Sequence, residues 1–389
     1  MIIKKVVARI IKDSRGDDTI AVSVNGCEEA SSPNGKSVGE YETPSYYRSL
    51  KFCVSFLNKW DEGIVVERFE DLSNVEKTIC KKLKLKNARE FGANSLYAFE
   101  SAILKALASE TGKELFEVVG KNRRLPFPVG NVIGGGLHSS SLKERPNFQE
   151  FLVIPFSKKL IENVKIMNFI YSEIGKKLKL KKVNDEGAWL VSISDGEAIE
   201  VLNEVRDVAE KRFKVKIGIG LDVASSTLFN KNYYKYSNHS HNIDSQLYYM
   251  KNLISGFDLN YLEDGFEQHD FKNFAKLNKI SGKNCLVVGD DLIATQYNRL
   301  VGAIRTRSIN AVIIKPNQNG SLLELKKIFD LCQRNKIKTI ISHRSGETID
   351  SGLADYVVGF GADYIKCGVA TKWREVKLNR LVEIENYLK

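Results

Sequence analysis

Six side chains able to do acid–base or metal chemistry close six consecutive apolar runs. Asp222 ends KVKIGIGLD, Glu263 ends FDLNYLE, Asp290 ends KNCLVVGD, Lys315 ends NAVIIK, His343 ends KTIISH and Lys366 ends ADYIK. Asp222, Glu263 and Asp290 offer hard oxygen donors at equivalent places in successive runs, which suits Mg²⁺ with water and substrate filling its other positions. Any one of them alone reads as a helix cap, the role read for the adjoining Asp264 and Asp291. A lysine at Lys315 or Lys366, near a divalent ion and desolvated, would have its pKa lowered and could act as a general base. The plainer reading of either is a lysine reaching past its strand end to water.

Other polar segments could complete such a site. SHRSGE (342–347) sets Arg344 and Ser345 beside His343, a guanidinium and a hydroxyl suited to a phosphate or carboxylate, or to a loop salt bridge. NDEGAW (184–189) places Glu186 in a polar turn, and PNGKSVGEYE (33–42) is a loop punctuated by glycines; both could reach over a site as acid or lid. NVIGGGLHSSSLKERPNFQEF (131–151) contains three consecutive glycines, His138, and Gln149 and Glu150 opening an apolar run, without the spacing of a nucleotide phosphate loop.

The elements that must carry these residues are readable from periodicity. KKVVARIIKD and TIAVSVNG flank the turn SRGDD as a hairpin, and NSLYAFESAILKALASETG has helical spacing. These predict a small α+β domain over residues 1–125. From RLPFPVG onward, short apolar runs alternate with helix-length segments, the pattern of repeated βα units. A (β/α)8 barrel gathers the carboxyl ends of all its strands on one face, whereas a doubly wound sheet gathers ligand groups at one switch point. Six loaded strand ends in succession favour a barrel over residues 126–389.

The bulk properties fit an ordinary soluble protein with a large core and room for two domains: 389 residues, 43% hydrophobic and 28% charged. No run approaches the roughly 18 apolar residues of a membrane-spanning helix, and the opening MIIKKVVARIIKD lacks a signal-peptide pattern, so a cytoplasmic location is expected. The six cysteines are scattered without metal-site spacing and are read as reduced thiols. The net charge of +11 invites a nucleic-acid reading. Its lysines, however, alternate with leucines in KKLKLKNARE and GKKLKLKK, the pattern of solvated faces. A basic surface would also steer a small anionic substrate.

Taken in order, DSRGDDTIAVSV, PNGKSVGEYE, LPFPVGNVIGGGLHS, QEFLVIP, GLDVASS, LEDGFEQHDF, VGDDLIATQ, IKPNQNGSL and ISHRSGETIDSGLADYVVG resemble segments of the enolases, over nearly the whole chain. The resemblance implies an N-terminal α+β domain and a modified barrel that begins ββαα, and reversible dehydration of 2-phosphoglycerate to phosphoenolpyruvate in glycolysis and gluconeogenesis. It implies that Asp222, Glu263 and Asp290 hold a first Mg²⁺, that Lys315 removes the C2 proton, and that Glu186 protonates the leaving C3 hydroxyl. By the same resemblance His138, Gln149, Glu150, His343, Arg344, Ser345 and Lys366 contact substrate, Arg344 and Ser345 at the phosphate. The resemblance further implies that Ser37 closes over the substrate and ligates a second Mg²⁺ that arrives with it.

The chain departs from the family pattern at several points. Asn34, Lys36 and Val38 stand where Ser, Ala and Thr are usual, and Lys36 would add a charge beside the phosphate. Pro316 follows the base, Gly265 follows the Glu-Asp pair, and the segment between His138 and Gln149 is longer than usual. A homodimer or higher homo-oligomer is expected, although Ala21 and Glu383 stand where a Glu–Arg pair usually joins two subunits. Two other readings are an enolase-like activity on a different phosphorylated hydroxy acid, from the altered loops, and a nucleic-acid or protein-binding role, from the basic charge. The intact set of metal, base and acid residues argues against the last.

Overall fold

The computed structural model describes residues 1–36 and 39–389; Ser37 and Val38, and with them the expected second-metal ligand, lie outside the described residues. The predicted hairpin forms between Val6–Lys12 and Asp18–Val24, which pair antiparallel with Val6 opposite Val24. Its turn is held by Asp13, whose carboxylate accepts from the backbone N–H of Arg15 (2.8 Å) and of Asp17 (3.0 Å), an Asx arrangement that substitutes for ladder bonds. Ala30–Ser31 adds a short third strand.

The helix Ala93–Thr111 is buried along most of its length because it has protein on both sides. One side packs on the small-domain sheet; the other meets the barrel, where Tyr97 and Tyr356 have ring centroids 5.9 Å apart. Polar ties cross the same boundary. Lys105 Nζ lies 3.0 Å from Asp350, and Glu100 accepts from the backbone N–H of Leu322 at 2.7 Å.

Eight strands close the barrel. Phe127–Gly134 is followed by Glu150–Pro155, Ile217–Asp222, Tyr261–Glu263, Leu286–Gly289, Ala311–Ile314, Lys338–Ser342 and Tyr364–Lys366, and the last pairs in parallel with the first. Glu150–Pro155 runs antiparallel to both neighbours, so the barrel opens ββ rather than βα. A two-residue strand, Trp189–Leu190, is appended to the first. Phe127–Gly134 is the one barrel strand that the apolar runs do not mark, because Pro128, Gly130 and Asn131 interrupt it. The last small-domain helix is Leu115–Val119, and the division we propose at residues 125 and 126 falls in the connection to Phe127.

Both faces of these strands are buried, which explains their continuous apolar runs. Val129, Leu152, Ile154, Tyr261, Val288, Ala311, Ile313 and Ile340 fill the barrel interior, while Val312, Ile314 and Ile341 pack outward under the helices. Four of the barrel helices start at side-chain caps: Ser194, Asn242, Asp270 and Ser321 each accept from a backbone N–H in the first turn. Among the described residues, no helix is long and apolar enough to cross a membrane.

Candidate active site

The pleat of the strands decides which side chains enter the barrel mouth. Successive residues face opposite sides, so the position two beyond an interior residue also faces inward. Ala311 and Ile313 lead to Lys315, Tyr261 leads to Glu263, Val288 leads to Asp290 and Val129 leads to Asn131. Glu150–Pro155 runs the other way, so its first residue, Glu150, reaches the same mouth, directly opposite Asp222 in the ladder. On the strand leading to Asp222, a Cβ added at Gly220 would come within 2.7 Å of Tyr261 Cβ. The missing side chain makes room for Tyr261, whose hydroxyl donates to Glu263. The mouth holds a cavity of about 280 Å³.

Every predicted and described site residue lines this cavity except Glu263, which lies fully buried beneath it. Lys366 is the hub of the floor. Its Nζ lies 2.8 Å from Glu150, 3.1 Å from Asp222 and 2.8 Å from Glu263. Burial works to discharge Lys366, but the carboxylates of Asp222, Glu150 and Glu263 outweigh it and hold the ammonium well above the usual lysine range. Burial pushes Glu150 up to about 8 against the pull of Lys366, and burial with Asp222 alongside raises Glu263 well above the carboxylate range. For Asp222 burial acts upward as well, but Lys366 wins and holds it low.

Lys315 Nζ donates to Asp290. Burial alone would depress this lysine, as expected from the strand-end position, but the Asp290 carboxylate reverses the direction and Lys315 stands above its ordinary value. In this arrangement the lysine is a bound ammonium rather than a free base.

On another side of the cavity Glu186 is buried among histidines. Its carboxylate lies 3.5 Å from His138 Nδ1 and 3.9 Å from His343 Nε2, and accepts from Asn131 Nδ2 at 3.4 Å. Burial, reinforced by Arg374, holds His343 far below the usual histidine range, so the ring is neutral. Arg374 Nε donates to His343 Nδ1 at 3.3 Å; a guanidinium can only donate, so the ring proton sits on Nε2, toward Glu186. Arg374 is itself fully buried and also donates to the carbonyls of Arg344 (3.2 Å) and Ser345 (2.9 Å), which fixes the SHRS loop from beneath.

Arg344 forks onto Glu42, a residue of the small-domain loop, and also donates to Asn317 at 3.1 Å. Asn317 continues to Asn94 (3.0 Å) and Asn94 to Asn34 (2.9 Å), a chain of amides that ties both domains beneath the mouth. Asn34 and Gly346 exchange backbone bonds of 2.7 and 2.9 Å, and Arg15 donates to Ser345 Oγ at 3.2 Å. Gln149 donates weakly to Asp222 at 3.5 Å.

The three glycines 134–136 serve close approach rather than phosphate binding. A Cβ at Gly135 would fall 2.2 Å from the carbonyl of Phe148, and one at Gly134 2.3 Å from the side chain of Asn184. Their absence lets the returning 146–149 segment and the turn that carries Glu186 sit against the first strand.

Residues 3–119 match the model described as Enolase, N-terminal domain, and residues 122–389 match Enolase, C-terminal TIM barrel domain. The chain is 35% identical to a protein named Enolase from Archaeoglobus fulgidus, over 100% of this chain and 98% of that one. It is 33% identical to the Enolase of Natronomonas pharaonis, over 99% of each, and 34% identical to that of Methanosphaera stadtmanae, over 100% and 97%. The chain belongs to the enolase family. It is accordingly an enzyme of the carbon–oxygen lyase class, with an α+β domain preceding a TIM barrel.

The enolase family implies a divalent metal, and the donors present fit one. Among the described residues, Asp264, Asp290 and Asp291 bring one ligand atom each within 4.8 Å of one another, as do His138, Glu150 and Glu186. Asp222, Glu263 and Asp290 are not gathered that closely: Lys366 bonds the first two and Lys315 the third. Asp290 Oδ1 is nonetheless buried without a hydrogen-bond partner, a hard oxygen that a cation would satisfy. Neither Asp264 nor Asp291 is the helix cap read from the sequence: Asp264 accepts from the backbone N–H of Asp290 (2.9 Å) and Asp291 (2.7 Å), and so joins two neighbouring strand ends. Glu42, Asn317 and Arg374 are the site residues that the sequence reading missed. Only Glu42 carried a signal, as the acid closing the loop PNGKSVGEYE.

Proposed function

We propose that this enzyme interconverts 2-phosphoglycerate and phosphoenolpyruvate, with Lys315 as the base at C2 and Glu186 as the acid at the C3 hydroxyl. The observation that carries the reading is that Lys315 and Glu186 line one cavity with Arg344, Ser345 and Lys366 between the two domains. In this reading the substrate phosphate takes the fork of Arg344, with Ser345 as a second donor, and competes there with Glu42. Lys315 must first let go of Asp290 and lose its own proton to solvent; the neutral amine then accepts the C2 proton on Nζ and returns it in the reverse direction. The C3–O bond breaks as Glu186 delivers its proton, so oxygen leaves as water and the electron pair from C2 forms the C2–C3 double bond. His343 and His138, both held below the usual histidine range by burial, flank Glu186 without adding a fixed positive charge there. Lys366 supplies positive charge to the doubly anionic enolate.

Asp222, Glu263 and Asp290 would hold a divalent ion, proposed as Mg²⁺, with Ser37 assigned to a second. Such ions would neutralise the charge that builds on the substrate carboxylate. We also propose a homo-oligomer. Ala21 is buried within its strand, and Glu383 lies 3.4 Å from Arg380 of its own helix, so the assembly would form without the family's usual ion pair. Light scattering gives the mass directly, and a monomer would refute it.

The decisive assay is formation of phosphoenolpyruvate from 2-phosphoglycerate and Mg²⁺. Turnover abolished in Lys315→Ala supports the reading; no product above that control refutes it.

A further inference from the structure

Lys36 occupies a position where the resemblance leads one to expect alanine beside the phosphate. Lys36 lines the cavity, but its ammonium is engaged by the barrel segments on the Glu186 side. Nζ donates to the carbonyl of Leu137 at 3.2 Å and pairs with Asp185 at 3.4 Å. Leu137 belongs to the turn Gly136–Ser139 that presents His138, and Asp185 immediately precedes Glu186. One cation therefore joins the small-domain loop to the two barrel segments that carry the proposed acid and its histidine neighbour.

The tie adds a small-domain anchor to a turn whose Gly187 carbonyl already accepts from Tyr171 of the barrel at 2.8 Å. Asn184 braces it internally, accepting on its side chain from the N–H groups of Glu186 and Ala188, each at 3.0 Å. Those bonds set the shape of the turn but not where it stands relative to the small domain. Asp185 is mostly buried, its side chain 20% exposed, so its charge is costly without a cation, and its Oδ1 has no hydrogen-bond partner. Lys36 supplies that cation from the opposite domain, at a depth where screening is partial.

We infer that Lys36 is a positioning residue for Glu186, acting through Asp185 to place the acid at the C3 hydroxyl, and not a phosphate ligand. The inference rests on the assignment of Glu186 as acid and deepens it. It predicts a selective defect, since C2 proton transfer belongs to Lys315 and does not depend on the tie.

The test compares Lys36→Met, Lys36→Arg, Asp185→Asn and the Lys36→Met/Asp185→Asn double variant in the full-length protein. Three readouts are taken: kcat and KM with 2-phosphoglycerate and Mg²⁺, exchange of the C2 proton with deuterated solvent, and backbone amide exchange over residues 184–188. Lys36→Met is expected to lower kcat about tenfold, as loosened orientation does, with KM and C2 exchange changed by less than about twofold. Amide exchange over the turn should accelerate in the ligand-free protein. Asp185→Asn should reproduce both effects, the double variant should be no worse than either single variant, and Lys36→Arg should restore most of the rate. A raised KM at unchanged kcat would make Lys36 a phosphate-side charge and overturn the inference. Equal losses of exchange and dehydration, or additive single effects, would overturn it too. If the wild type does not turn over 2-phosphoglycerate, the functional reading falls, while unaltered amide exchange in Lys36→Met would separately remove the tie.

Discussion

Arg344 and Glu42 form a two-point ion pair across the domain boundary, with NH1 3.0 Å from Oε2 and NH2 3.1 Å from Oε1. Both side chains are nearly withdrawn from water, 6% and 8% exposed. Burial acts to raise the Glu42 carboxyl, but Arg344 outweighs it and holds it below its ordinary value. Removing one partner of a buried pair strands the other charge, at a cost of about 3–5 kcal/mol. Glu42→Ala should therefore lose stability of that order in denaturant titrations. Inorganic phosphate should raise the melting temperature of the variant more than that of the wild type, because the anion takes the place of the negative charge that Glu42 vacates. An equal phosphate response in the two proteins would count against Arg344 as the phosphate site.

Glu186→Gln and Lys315→Met should separate the two halves of the reaction. Loss of a general acid or base typically costs about 10²–10⁴ in rate. Glu186→Gln should lose dehydration while still exchanging the C2 proton with solvent, and Lys315→Met should lose both. Proton NMR of 2-phosphoglycerate in deuterated buffer distinguishes them.

Arg374→Met should be destabilising although Arg374 stands behind the cavity wall and does not line it. The substitution removes the Arg374 donor from the Arg344 carbonyl and the Nδ1 of His343, and leaves the Ser345 carbonyl only Ser14 Oγ at 3.3 Å. Each buried acceptor left unpaired costs about 1–3 kcal/mol. A lower melting temperature together with a raised KM would show that the arginine holds the SHRS loop; an unchanged KM would limit its role to stability.

Acid stability should depend on Asp350. Burial acts upward on this carboxyl, but Lys105 and the backbone donors of Gly352 and Ser31 outweigh it and hold it below its ordinary value. A carboxyl depressed in the folded state stabilises above its unfolded pKa of about 3.9 and loses that contribution as pH falls through the lower folded value. Between neutral pH and about pH 4 the contribution is complete, so the loss appears only below that. Asp350→Asn should therefore be less stable than the wild type at pH 7 and lose less stability on acidification to pH 3, measured by urea titration at both pH values.

Gly135→Ala should disturb the mouth more than its size suggests. The added methyl would meet the Phe148 carbonyl at 2.2 Å, main-chain atoms that cannot rotate away. Overpacking of this kind costs typically about 1–3 kcal/mol, and the displaced segment leads directly to Gln149 and Glu150. Gly196→Ala is the control, since nothing lies within 4 Å of its new Cβ and it sits in a helix, where alanine is preferred. Gly135→Ala is expected to lose stability and Gly196→Ala to keep or gain it in thermal melts.

The loaded strand ends were legible because a barrel strand is buried on both faces. Its apolar run is unbroken, so the first polar residue after it stands out, as Lys315 does after Ala311–Ile314 and Lys366 does at the end of Tyr364–Lys366. Where the run is broken, as at Pro128 and Gly130, the strand was legible only through family resemblance. The ordered segments from DSRGDD to SHRSGE likewise identified the family without any contact being known. Glu42, Asn317 and Arg374 could not be read this way: each is a single polar residue whose partner lies far along the chain.

The sequence by itself thus determined the architecture and which side chains reach the barrel mouth, because apolar periodicity and the two-residue pleat are local properties of the chain. Tertiary structure alone decided what those side chains do to one another. Burial by itself would discharge Lys315, and only the approach of Asp290 from the neighbouring strand reverses that direction. Lys36 reads in sequence as a charge beside a phosphate, and in space it meets Asp185. Electrostatic energy depends on distance and desolvation, and both are set by residues remote in the chain.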